Sequence, residues 1–470
     1  MTLPLVALGP LLTLALTSVI LLLPAALRKP RASAILAALG FLVTGGLLWP
    51  AWQVAPVRAT DLLTIDHYAL VVMGIVTLCG WVVTLLGHEY FSKRQAAHKP
   101  ELYLLLVIAS LGGAVLAAAS HFATLFLGVE LLGISTVVLV AFPYTRPALE
   151  AGIKYLLLSG AASAFLVFGM ALVYAGDGTL VFTKLAFAGP GWVGLVMILA
   201  GLAFKLSWVP FHLWAGDVYQ GAPAPIAGFL GSASKVAAMA VTMRMLLESG
   251  VYRNDVLVTL FIFVACFSIL TGNWLALLQQ RIKRLLAYSA IGHFGFLLVL
   301  PATATRVGAG FAAEATLFYL LAYSLAVLVS FGLIAVLSAE TSEADELSDL
   351  RGLFHHQPVA AVLFTVALLS LAGLPLTIGF VGKFYLFTAA IGGGLWLLAL
   401  VMVFGSGLGM FYYLRVIYEL GRPQQASVSI PAVASLTMLG VLGLLLLGVG
   451  VYPTWIMEVF SGGLQTGASW

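Results

Sequence analysis

The chain has 470 residues, of which 62% are hydrophobic and only 9% charged, with 22 Lys+Arg against 18 Asp+Glu and 49 glycines. An ordinary globular domain carries about 25% charged residues, so these few charges cannot clothe a water-facing surface. A soluble enzyme and a disordered tail are excluded, and so is a nucleic-acid binder, because the net charge of +4 is scattered over short loops instead of forming a patch.

The composition is that of a polytopic membrane protein. A bilayer crossing takes about 20 apolar residues, and about fourteen such runs are present. They lie near 3–25, 33–52, 67–87, 102–118, 121–141, 148–174, 191–213, 222–247, 256–277, 283–300, 308–338, 358–390, 394–420 and 429–452. No basic residue precedes the first run, and Arg28, Lys29 and Arg31 follow it, an order that suits a retained helix and not a cleaved leader. Cys79 and Cys266 each sit inside an apolar run and read as small buried hydrophobes. Without a CxxC or Cys/His cluster, neither structural zinc nor an iron–sulfur cluster is expected in the chain.

Loop charges predict the orientation. The odd-numbered loops hold Arg28, Lys29, Arg31, Lys93, Arg94, Lys99, Arg146, Arg281, Lys283, Arg284, Arg351 and Arg422; the even-numbered loops hold only Arg58, Lys184, Arg253 and Arg306. This asymmetry puts the odd loops in the cytoplasm and both termini on the opposite side. The acidic stretch Ala339–Arg351, with Glu340, Glu343, Asp345, Glu346 and Asp349, reads as a solvated cytoplasmic loop.

Six basic residues remain within predicted helices: Lys154, Lys205, Lys235, Arg244, Lys383 and Arg415. Arg244 and Arg415 lie near helix ends and are expected to snorkel to the interface. The lysines are deeper, where a charge costs about 2.5–3.5 kcal/mol on insertion scales, so they read as functional.

Two runs are interrupted in a related way. In the seventh, Gly201-Leu-Ala-Phe-Lys205-Leu-Ser-Trp-Val-Pro210-Phe-His212-Leu-Trp214 sets a lysine before a proline; in the twelfth, Ser370-Leu-Ala-Gly373-Leu-Pro375-Leu-Thr-Ile-Gly379-Phe-Val-Gly382-Lys383 sets one after a Pro/Gly break. Both helices should unwind locally and expose backbone at membrane depth, which is tolerated only beside protein or water. Paired discontinuous helices point to an internal repeat. Lys205 and Lys383 are 178 positions apart, about five helices, and an odd number per unit inverts the second unit. The expected fold is an all-α membrane protein of about fourteen helices, with inverted five-helix units over helices 4–8 and 9–13 and discontinuous helices 7 and 12. In chain segments this gives 1–100 for helices 1–3, 101–250 and 251–421 for the two units, and 422–470 for the last helix.

Glu130, in Phe126-Leu-Gly-Val-Glu130-Leu-Leu-Gly133, is the one carboxylate well inside a predicted helix, so an intramembrane ion pair with Lys205 is expected. Burial disfavours the charged lysine and a nearby carboxylate favours it, so moving the partner makes the pair a proton switch. Lys235 and His293 add titratable groups between the two breaks, although His293 alone reads equally as an interhelical hydrogen bonder. His212 and Lys154 carry less weight, and His121 reads as interfacial. Gly189-Pro-Gly191-Trp-Val-Gly194 matches G-x-G-x-x-G but follows no strand and reads as a helix start. Gly405-Ser-Gly407-Leu-Gly409 reads as close helix packing.

The blocks from Gly201 to Trp214, Asp217-Val-Tyr-Gln-Gly-Ala-Pro-Ala-Pro225, Ile282-Lys-Arg-Leu-Leu-Ala-Tyr-Ser289 and Gly379-Phe-Val-Gly-Lys383-Phe resemble the antiporter-like membrane subunits of respiratory complex I and their relatives among cation/proton antiporters. The resemblance covers nearly the whole chain. Sister subunits L and M usually carry D-A-H-x-E-A-P where this chain has Asp217 to Pro223. M also tends to carry Glu at the place of Lys383, and L has an added lateral helix. The resemblance implies Glu130 and Lys205 in a first half-channel, Lys235 as a central lysine, His293 as a linking group and Lys383 at the second break, with Lys154 and Glu150 at positions of lesser effect. It implies proton translocation in the bacterial inner membrane, driven by redox chemistry elsewhere. NAD(H), FMN, iron–sulfur clusters and quinone would lie in partner subunits, with no cofactor in this chain, and the expected neighbours are subunits M and K and the lipid bilayer. A multisubunit sodium/proton antiporter or a membrane-bound hydrogenase-type complex is the alternative setting.

Overall fold

The computed structural model describes residues 2–94, 99–339, 343–423 and 431–467; Glu340 lies outside them. Long apolar runs fold as helices because a helix satisfies each backbone N–H and C=O within its own segment. In chain order these are α1 (Thr2–Ala26), α2 (Pro30–Val54), α3 (His67–Lys93), α4 (Glu101–Ala118), α5 (Phe122–Ala141), α6 (Arg146–Asp177), α7 (Gly191–Leu206), α8 (Ala215–Gly221), α9 (Ala224–Phe229) and α10 (Lys235–Ser249). There follow α11 (Asp255–Leu277), α12 (Ile282–Leu297), α13 (Val299–Val307), α14 (Ala309–Leu337), α15 (Leu353–His356), α16 (Pro358–Ala372), α17 (Ile378–Gly392), α18 (Trp396–Gly421), α19 (Val433–Val451) and α20 (Thr454–Gly467). A π turn, Leu230–Ser234, joins α9 to α10. A small antiparallel hairpin pairs Val57–Arg58 with Thr64–Ile65.

Local chemistry sets the helix ends. Asp66 caps α3 by accepting from the Ala69 N–H, and His121 caps α5 by accepting from Ala123. The G-x-G-x-x-G match is the turn that starts α7, with Pro190 at its N-cap. Among the described residues, twelve helices are long and apolar enough to cross a membrane. The seventh and twelfth runs are instead split: α7 stops at Leu206, and the twelfth run divides into α16 and α17.

The continuous span Ala224–Ser249 is buried along its whole apolar window, and Ile282–Val307 and Ala309–Leu337 are 94% buried; these three form the centre. Around them, α6 is only 17% buried and α19 28%. The outward residues of this ring are large and apolar, among them Leu157, Val256, Leu400 and Leu444. So broad an exposed apolar belt suits a lipid surface. Between α11 and α18 the backbones approach closely: a Cβ on Gly405 would lie 2.3 Å from Ile269 Cγ2.

Two readings of charge are corrected by the fold. Arg244 does not snorkel. It is fully buried and donates to Asp66 Oδ1 at 2.6 Å and Glu248 Oε1 at 3.0 Å, because α10 ends beside the start of α3. Arg415, partly exposed, carries its guanidinium to the helix end, where it donates to the Leu277 and Gln279 carbonyls at 2.9 and 2.6 Å and closes the end of α11. From Glu343 on, the acidic stretch is not simply a solvated loop, although Glu346 is exposed. Its Asp345 and Leu347 pair by backbone with Ile282 and Gln280, and Glu343 is drawn between α3, α9 and α12.

Removing one partner of a buried ion pair leaves the other charge uncompensated, at a cost of about 3–5 kcal/mol. Arg244→Met is therefore expected to lower the thermal unfolding midpoint sharply or block assembly, whereas Arg58→Met, in an exposed pair with Asp61, leaves both unchanged. Thermal scans of the purified assembly check this.

Candidate functional site

Lys205 stands in the last turn of α7, which ends because Ser207 takes a left-handed conformation at φ 59°. A cation is favoured at this end of the helix dipole. Its ammonium donates to Tyr155 Oη at 3.0 Å, and the Tyr155 ring stacks on Trp214 with centroids 4.8 Å apart. A cavity of about 210 Å³ between α5, α6 and α7 holds Glu130, Gly133, Ser159, Ser163 and Lys205 on its walls.

The expected Glu130–Lys205 ion pair is not formed. Glu130 accepts from the Ser163 hydroxyl, while the lysine has taken Tyr155. The two charges still share the cavity: a Cβ on Gly133 would lie 3.5 Å from Lys205 Nζ, and Gly133 is one helical turn, roughly 5 Å, along α5 from Glu130.

Lys235 follows the π turn directly, and such turns gather at functional sites. Its Nζ donates to the Leu206 carbonyl at 2.8 Å and to Ser207 Oγ at 2.9 Å. Leu206 is the last residue of α7, whose carbonyls lack intrahelical partners. The break in α7 thus supplies the oxygen that holds the second lysine. The Trp214 and Phe294 rings flank the ammonium at 5.8 and 4.9 Å.

The other break does the same. Lys383, on α17, donates to the carbonyl of Ala372, the last residue of α16, at 2.8 Å. Its side chain passes over Gly373, where φ is +80° and a Cβ would lie 2.6 Å from Lys383 Cδ. Between the breaks runs α12. His293 Nδ1 meets Tyr319 Oη at 2.7 Å and Nε2 meets Tyr413 Oη at 3.3 Å. Phe294 lies against Lys235, and Phe296 lies 5.5 Å from the Lys383 ammonium. His293, Tyr319, Tyr323 and Lys383 line one narrow void of about 10 Å³.

Lys205, Lys235, His293 and Lys383 therefore form one buried band. His212 is buried in the loop after α7 and its Nδ1 finds no partner, so it stands apart. Lys154 is half-exposed and pairs with Glu150 and Asp217, each at 2.8 Å. These three open into a polar cavity of about 580 Å³ at the basic-loop end, together with Arg284, Lys283, Glu343 and Asp345. There burial pushes the Glu343 carboxyl up, but the Lys283 charge and hydrogen bonds from Lys283, Tyr90 and the Ala224 N–H hold it below the usual range. Burial leaves Asp345 above it. The tyrosines that join the band, Tyr155, Tyr319 and Tyr413, were not singled out in the sequence; a phenol inside an apolar run was the available signal.

The fold and this band define a polytopic membrane protein with buried titratable groups gathered at two helix breaks. Residues 119–409 match the family model described as NADH:quinone oxidoreductase/Mrp antiporter, transmembrane, and the chain belongs to that family. It is 43% identical to NADH-quinone oxidoreductase subunit N of Ectopseudomonas mendocina, over 97% of this chain and 95% of that one. It is 41% identical to the protein of that name from Methylococcus capsulatus, over 96% and 93%. Among solved structures it is similar to a chain of respiratory complex I from Thermus thermophilus with bound aureothin, with TM-score 0.85, 29% identity and 96% and 98% of the two chains covered. A chain of the Mrp complex from Dietzia sp. DQ12-45-1b shares the fold, with TM-score 0.86, 17% identity and coverage of 100% and 98%.

Gly373→Ala would press on Lys383 and strain a left-handed position by about 1–2 kcal/mol. The variant is expected to assemble with reduced proton transport, read by pH-sensitive dye quenching in membrane vesicles.

Proposed function

We propose that the chain serves as the antiporter-like, proton-translocating subunit N of an NADH–quinone oxidoreductase. The observation that carries this reading is the pair of helix breaks, each presenting its terminal carbonyl to a buried lysine, Leu206 to Lys235 and Ala372 to Lys383. An ammonium held by dipoles in a low-dielectric band responds strongly to any neighbouring charge. Glu130, sharing a cavity with Lys205 without bonding it, is the group whose approach or withdrawal changes which form of the lysine is favoured. Protons would pass among Lys205, Lys235, His293 and Lys383, with tyrosine hydroxyls between them. The cavity with Lys154, Glu150 and Asp217 offers an aqueous approach at the basic-loop end; His212 keeps low weight.

The finer architecture belongs to the same reading. Twelve long helices and the two split runs make fourteen crossings, and 101–250 and 251–421 are the inverted five-helix units, a reading supported by the seventh and twelfth crossings, five apart, both being broken. The basic loops face the cytoplasm of a bacterial inner membrane, with both termini periplasmic. NADH oxidation, with FMN and iron–sulfur clusters, and quinone reduction occur in other subunits. Neighbours M and K are expected to cover exposed faces; on α6 small residues and Ser159 leave the half-buried Glu130 near the outside, and a carboxylate is not left facing lipid.

Lys205→Ala in the assembled complex tests this. The expected result is retained NADH oxidation with fewer protons moved per electron, since each proton moved against 100 mV takes about 2.3 kcal/mol that only a working path can store. An unchanged ratio would reduce the buried charges to structural pins.

A further inference from the structure

Glu343 lies far in sequence from the groups it touches, and the proton path makes no use of it. Its Oε1 accepts from the Tyr90 hydroxyl at the end of α3 and from the Ala224 N–H at 2.9 Å, and its Oε2 accepts from Lys283. Ala224 is the first residue of α9, so the carboxylate caps the helical span whose middle carries Lys235. Lys283 stands in the first turn of α12, the helix that carries His293 ten residues on. Lys283 is itself 1% exposed and also donates to the Ala222 carbonyl at 2.9 Å, so the same ammonium ties α12 to the turn ahead of α9. Backbone bonds from Ile282 to Asp345 at 2.7 Å and from Leu347 to Gln280 at 3.1 Å hold the loop on α12.

The elements that carry the two central titratable groups are therefore joined, at the same end, through one carboxylate from a third place in the chain. The Glu343 side chain is 20% exposed at the edge of the polar cavity, and its lone pairs are matched by three donors, from Tyr90, Ala224 and Lys283, on three helices. A loop that merely linked α14 to α16 would need none of these contacts.

We propose that Glu343 is a positioning residue, a clamp that fixes the start of the Lys235 helix against the start of the His293 helix and so sets the register of the proton band. The proposal rests on the proton-path reading above. Glu343→Gln keeps the shape and removes the charge; Glu343→Asp keeps the charge. Both are measured in the intact complex, by hydrogen–deuterium exchange over residues 219–235 and 282–293 and by protons moved per electron. With Glu343→Gln, exchange at the amides near Ala224 is expected to rise about tenfold, the loss of a charge-assisted hydrogen bond, and the proton ratio to fall while NADH oxidation persists. Glu343→Asp should recover part of both.

Exchange altered only within the loop overturns the clamp. Raised exchange at Ala224 with an unchanged proton ratio overturns its positioning role. If Glu343→Gln does not assemble, Tyr90→Phe removes a single donor; a rise of about threefold near Ala224 supports the clamp and no rise overturns it. An unchanged ratio in Lys205→Ala would instead defeat the underlying proton path, and the exchange result would still stand or fall by itself.

Discussion

An ammonium buried among apolar side chains needs oxygen atoms, and an all-helical interior offers almost none, because every carbonyl inside a helix is already bonded to the turn above it. Breaking a helix in mid-membrane frees such oxygens. The structure uses this twice, with Leu206 and Ala372 as the freed carbonyls, and the remaining features of the centre follow from it. Ser207 and Gly373 take left-handed conformations because the chain must turn away there. Gly379 is required because a Cβ would fall 1.9 Å from the Ser370 carbonyl, where α17 starts against the end of α16.

The first break holds two lysines and the second holds one. Lys205 belongs to the helix that ends, Lys235 reaches in from the π turn, and Lys383 folds back onto the helix before it. Aromatic rings fill the space between, so the ammonium groups meet π faces and few competing donors. His293 lies beside Lys383 with both ring nitrogens on phenols, a tautomer-indifferent arrangement since each phenol can donate or accept. Charge on any one group is then felt by the others with little solvent to screen it.

Much of this was legible in the sequence because the bilayer penalises charge so heavily. Lysines deep in apolar runs, and proline or glycine beside two of them, stand out against 62% hydrophobic residues. What escaped depended on which side chain meets which across the bundle. Glu130 and Lys205 face one cavity, but Ser163 and Tyr155 on α6 were nearer partners, and nothing in the spacing of either motif reveals that. Arg244 looked like a snorkelling side chain because its partner Asp66 lies 178 positions away, at the cap of another helix. The acidic loop looked solvated because loop charges usually are, and only the fold shows Lys283 buried beneath it. Three of sixteen tyrosines serve the band, and an apolar run alone does not tell them from packing residues.

The span Ala224–Ser249 is held by charge at both ends: Glu343 at its first amide, and Arg244 with Asp66 near its last turn. A rod anchored at both tips cannot slide along its axis. Between the two anchors lies the wide turn at Leu230–Ser234, where the helical ladder shifts its register and Lys235 begins the next turn. A small twist at that turn would swing the Lys235 ammonium sideways relative to the Leu206 carbonyl while the anchored helix ends stay in place.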